Sequence, residues 1–163
     1  MVHSLRERWK EVSKMQHHYG RFLIMIVLHF IAMYIFMYAM VNVFDNVFNS
    51  LNQVYMAALM TASMVLIELP LMSSMYQSKK LNMIILAAVA IMLIGAWFGI
   101  RQQAAIGDRQ FLRSMIPHHA GAILMCQEAS IQDQEIRTLC NNIISGQQAE
   151  IDQMKTILAR LDK

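Results

Sequence analysis

The sequence predicts an all-α membrane protein in which three transmembrane helices precede an extramembrane antiparallel helical hairpin. Of 163 residues 56% are hydrophobic and only 15% charged, against roughly 25% charged in ordinary soluble domains. Three apolar runs are long enough to cross a bilayer, and the last third of the chain turns polar with helical periodicity.

The first run, Phe22 to Met40, is almost uninterrupted. At about 1.5 Å per residue it reaches across a hydrocarbon core of about 30 Å. A second run, Val54 to Met75, is broken only by Glu68 and Pro70, and a third extends from Leu81 to Ile100. The first run is too long for the apolar part of a cleavable signal and is followed by Asn42 and Asp45 instead of a small-residue cleavage site, so it is expected to remain.

Orientation follows from Lys and Arg in short connections, which resist translocation. Arg6, Arg8, Lys10, Lys14 and Arg21 precede the first span and Lys79 with Lys80 separates the second from the third, whereas 41–53 contains neither residue type. The division expected is a basic cytoplasmic segment 1–21, a membrane domain 22–100, and a periplasmic or extracellular domain 101–163. The N-terminal segment, with Trp9, His17 and His18, is expected on the cytoplasmic membrane surface. A bacterial inner membrane is the expected location. A net charge of +3 with no extended basic face excludes nucleic acid as a partner.

In the polar third, Asp108 reads as an N-cap ahead of Phe111, Leu112, Met115, Ile116, Ile123 and Leu124, giving a helix to about Ser130. A second helix is expected from about Asp133 to Leu161, with Ile136, Cys140, Ile143, Ile144, Gln147, Ile151, Met154, Leu158 and Leu161 on one stripe. Two such helices make a hairpin that buries little alone, so the stripe is expected to meet a second copy or the membrane domain. Pro117 is expected to kink the first helix.

The sixteen methionines are the compositional outlier. A thioether fills irregular cores and is also a soft metal ligand. Met115, His119 and Cys126 fall within roughly 40° of one another on a helix, and His118 lies about 20° from Met125. On the second helix Cys140, Gln147 and Met154 recur every seven residues. Thioether, thiolate and imidazole together suit copper(I) or silver(I) better than zinc, which prefers a closed tetrahedron. Cys126 and Cys140 match no zinc spacing, and the sequence leaves open whether they are thiols or a disulfide.

The stretch from Asp108 through Phe111 and Met115-Ile-Pro-His-His-Ala-Gly-Ala-Ile123 to Met125, followed by Ile143-Ile144, Gln147, Glu150-Ile151 and Met154, resembles the family catalogued as domain of unknown function three-hundred-and-five. The resemblance covers about 107–161. It implies a ferritin-like arrangement in which hairpins pair into four-helix bundles and, as in CopM-type members, bind copper through methionine and histidine. On that basis Met115, His118, His119, Met125 and Met154 are expected ligands, with Gln147 and Glu150 supporting them; Cys126 is added as a candidate by its helical position alone. Cysteine at Cys126, where a small residue is common, and the three preceding spans depart from the pattern.

Within the spans, Met25, His29, Met33 and Met37 recur every four residues, as do Met56, Met60, Met64, Glu68 and Met72. Such rows either pack between helices or form a ladder of soft sites, with His29, Met33, Met60, Met64 and Glu68 as intramembrane candidates. Glu68, an ionisable group inside a span, is expected to face an interior or a partner such as His29.

The expected function is therefore a membrane-anchored copper(I) or silver(I) binding protein for tolerance, storage or handover, with lipid, a second copy and metal-handling proteins as partners. An oligomeric transporter subunit is the alternative from the spans. A ferritin-like oxidase is the other, although the Glu-x-x-His motif it would use does not occur. Bis-histidine haem ligation would have only His29 in the spans.

Overall fold

The computed structural model describes residues 2–163, with side chains from His17 onward. Among the described residues the chain is all helix: α1 (Val2–Phe36), α2 (Leu51–Leu71), α3 (Lys79–Arg101), α4 (Asp108–Glu128) and α5 (Gln134–Leu161), with short 3-10 turns at Met37–Met40 and Phe44–Asn46. Three segments are long and apolar enough to cross a membrane, His17–Met40, Leu51–Leu71 and Lys79–Arg101. The expectations for Trp9 and the basic side chains up to Lys14 lie outside the described side chains.

Two compact units emerge, and their boundary differs from a simple cut after the third span. One comprises Met1–Met33 and Tyr55–Arg101, the other Tyr34–Val54 and Gln102–Lys163. The connection between α1 and α2 thus belongs with the hairpin.

In the first unit, Phe22 of α1, Val65 and Leu69 of α2 and Tyr76 of the following turn are buried together, with Met25, Met64, Met72, Ile85, Leu86 and Val89 against them. The Tyr19 hydroxyl donates to Asn82 Oδ1 at 2.6 Å, and Asn82 Nδ2 donates to the Tyr76 carbonyl at 2.7 Å. The Tyr19 and Tyr76 rings lie 5.3 Å apart. These contacts tie the α2–α3 turn to α1 and α3. Outward side chains such as Leu23 (62% exposed) and Ile91 (72%) stay apolar, as helices solvated by hydrocarbon require.

The second unit has its core at one end of the hairpin. Leu112, Ile116, Ala120 and Ile123 of α4 meet Ile151, Met154 and Leu158 of α5, and Val41 and Phe48 of the α1–α2 connection pack against them. The expected stripe therefore finds its first partners within this chain. Asp133 caps α5 by accepting from the Ile136 N–H at 3.0 Å. Asp108, by contrast, is the first residue of α4 and not its cap; Gly107 occupies that position without a side-chain bond, and the Asp108 carboxylate faces the positive end of the helix dipole. Pro117 lies inside α4, which runs from Asp108 to Glu128.

Polar contacts clasp the core end of this unit. Arg109 donates to the Leu161 carbonyl, and Asp162 lies 3.5 Å from Arg109 and 3.6 Å from Arg113. The Leu51 N–H donates to Gln110 Oε1 at 2.9 Å, and Asn52 and Gln103 exchange amide hydrogen bonds at 3.0 and 3.2 Å. At Gly121 a Cβ would stand 3.5 Å from the Met40 carbonyl oxygen, so alanine fits there and a longer side chain meets backbone.

Candidate functional site

The donors that the sequence gathers around Met115–Cys126 are sorted by α4 into three environments. Leu112, Ile116, His119 and Ile123 follow one another at steps of four, three and four residues, which is the buried seam of a helix. His119 therefore points inward, 8% exposed, while His118, about 100° around the helix, faces solvent. Their ring centroids are 6.3 Å apart with planes inclined at 67°. The adjacent rings thus occupy different surroundings.

Both nitrogens of His119 are engaged. Nδ1 lies 2.9 Å from the Met115 carbonyl, which can only accept, so Nδ1 carries a proton. Nε2 lies 2.7 Å from Glu150 Oε2, and a contact of that length needs a proton between the two atoms. Neither nitrogen offers a lone pair to a metal in this arrangement. His119 instead joins α4 to α5, and Glu150, expected as a supporting residue, is its partner.

Met154 is 9% exposed and sits in the core beside Ile116 and Ile151, with Met115 partly buried against the same cluster. Gln147 is half-buried on α5. Cys126 is bonded to Cys140, with Cα atoms 5.2 Å apart. While bonded, Cys126 has no thiolate to offer as a ligand. The pairing was invisible in the sequence because it depends on the register of the hairpin, although both cysteines stand on inward-facing edges. Among the described residues no three His, Cys, Asp or Glu side chains converge as a metal-binding group.

What stays open is a smaller set. His118 is exposed and makes no hydrogen bond among the described residues, and Met125 is 55% exposed. Met115 is three residues before His118, within side-chain reach on a helix. Met125 is seven residues beyond it, a rise of about 10.5 Å, too far for both to bind one ion from the same helix.

The intramembrane candidates separate similarly. Met64, with Met25 and Met72, is packed into the first unit's core, whereas Met60 is 39% exposed and Met33 half-buried. His29 lies in a shallow depression lined only by α1 residues, among them Arg21, Met25 and Ala32. Glu68 is three residues from the end of α2 and close enough to Tyr76 that its charge, after burial of the ring, helps to raise the Tyr76 phenol above its usual value. It is thus near the end of the span, and no ion pair joins it to His29 among the described residues.

Comparison with known proteins extends the likeness beyond the hairpin. The family described as "Domain of unknown function (DUF305)" matches residues 67–158, from the end of α2 through α3 to the last turns of α5. An uncharacterized protein of Acanthamoeba polyphaga mimivirus, L153, is 35% identical over 139 residues, covering 83% of this chain and 90% of the relative. No solved structure matches.

Proposed function

The chain belongs to the DUF305 family, and on that premise we propose that it is a membrane-anchored protein that binds copper(I) or silver(I) on the outer face of its C-terminal hairpin. The observation that carries the reading is the division of labour between neighbouring histidines. His119 has both nitrogens engaged in holding the hairpin, while His118 is exposed, unbonded and one turn from the Met115 thioether. An imidazole and a thioether together select a soft, low-coordinate monovalent ion.

A second copy supplies the rest. Phe111 (49% exposed), Met125 (55%), Ile136 (50%) and Leu139 (56%) leave apolar surface on the hairpin, which pairing into a four-helix bundle would cover. Met125 of one copy then serves the ion held by the other. The disulfide fits an oxidising, extracytoplasmic setting, here the outer side of a bacterial inner membrane. There the protein sequesters the ion or hands it to metal-handling partners, with no reaction catalysed.

The test is an anaerobic copper(I) titration of the full chain in detergent against a chromophoric chelator. His118→Ala and Met115→Ala are each expected to weaken binding at least tenfold, about 1.4 kcal/mol. Unchanged affinity in the double variant, with the disulfide intact, overturns the reading.

A further inference from the structure

The far half of the hairpin is held together differently from the near half. No residue between Leu124 and Glu150 is buried, and the last buried apolar side chains before this stretch and after it are Ile123 and Ile151. Within it the Cys126–Cys140 bond crosses from α4 to α5. The two half-buried sulfurs are therefore joined where little packing would resist their separation.

We propose that Cys126 and Cys140 form a second, redox-gated site, which as a disulfide binds nothing and as a dithiol chelates one copper(I) or silver(I) ion between α4 and α5. A dithiol reductant opens it. Its thiolate attacks one sulfur of the bond, giving a mixed disulfide and one free protein thiol; its second thiol then displaces the other protein thiol, and the reductant leaves as a disulfide. Two electrons pass to the protein and two thiols result. Binding of the ion releases both thiol protons and leaves a bis-thiolate complex.

Geometry and donor set both favour this ion class. Cα atoms 5.2 Å apart put the sulfurs within reach of one ion, and at a metal–sulfur bond of about 2.3 Å they need to separate only to within roughly twice that length. The core-free helix ends permit this opening. Zinc is disfavoured because it wants four ligands, and no further His, Asp or Glu converges on the pair among the described residues. The site lies apart from Met115 and His118 and does not depend on their binding metal.

The experiment compares the full chain in detergent, oxidised and after anaerobic reduction with dithiothreitol that is then removed. Copper(I) is titrated against a chelator while thiolate-to-copper absorbance is followed in the ultraviolet. Reduced protein is expected to take one more equivalent than oxidised protein, with the new absorbance, and to gain no zinc(II). Alkylation of the reduced thiols, or Cys126→Ser with Cys140→Ser, is expected to abolish the extra equivalent. His118→Ala with Met115→Ala is expected to keep it, so this site and the one proposed above fail separately. Equal stoichiometry in the two redox states, an extra equivalent that survives alkylation, or loss of helical circular dichroism on reduction would each overturn the proposal.

Discussion

The two ends of the hairpin are made from the same two helices yet are stabilised by different physics. At the near end Ile116 and Ile151 are fully buried, the α1–α2 connection closes over them, and His119 meets Glu150. At the far end nothing is buried, Ile136 and Leu139 are half exposed, and a covalent bond does the joining. The contrast teaches that an amphipathic stripe is an offer and not a core: it becomes one only where a third element covers it, as Val41 and Phe48 do.

The comparison breaks most readily at the buried end. Ile116→Ala is expected to cost about 2–5 kcal/mol, read as a lower denaturant midpoint of hairpin helicity; a cost below 1 kcal/mol would mean that the core is not where stability resides. Opening the disulfide should follow, at about 3 kcal/mol for a loop of this size. Its effect should be regional: hydrogen exchange is expected to accelerate across 126–144 while amides near Ile116 and Ile151 keep their protection. Uniform acceleration would erase the distinction between the ends.

Smaller effects sharpen the boundary. Glu150→Gln keeps the shape of the side chain but removes its charge and is expected to cost roughly 1–2 kcal/mol, with altered His119 ring resonances and unaltered His118 resonances. If both rings respond equally, the inward and outward assignment is wrong. Gly146 lies on the outer surface of α5 with open space where a Cβ would stand. Gly146→Ala should therefore stabilise by about 0.8–1 kcal/mol through helix propensity alone, seen as a higher melting temperature.

The spans and both hairpin helices were legible because apolar runs and 3.6-residue periodicity are local signals, whereas the cap position was missed by one residue at Asp108, which begins α4 instead of capping it. The inward turn of His119 is also encoded locally, since it continues the seam of Leu112, Ile116 and Ile123, whereas adjacency in sequence says nothing of which histidine faces inward. The cover supplied by Met40, Val41 and Phe48 was not readable. That segment has no repeating pattern, and its partners lie two spans away in sequence. The Cys126–Cys140 bond was hidden for a related reason: it requires knowing how far α5 slides along α4. Glu68 reads as lying well inside its span because apolar residues continue to Met75, yet the helix ends at Leu71, three residues beyond it.

The discontinuity of the second unit bears on how the protein is made. Met40, Val41 and Phe48 emerge from the ribosome before the second and third spans, and the surfaces they cover emerge after them. The connection is therefore made before the surfaces it covers and is separated from them in sequence by α2 and α3. Residues 102–163 expressed alone would lack that cover and expose the flank of Ile116 and Ala120. The second unit can thus close only once both of its chain segments have been made, so its core depends on residues synthesised on either side of α2 and α3.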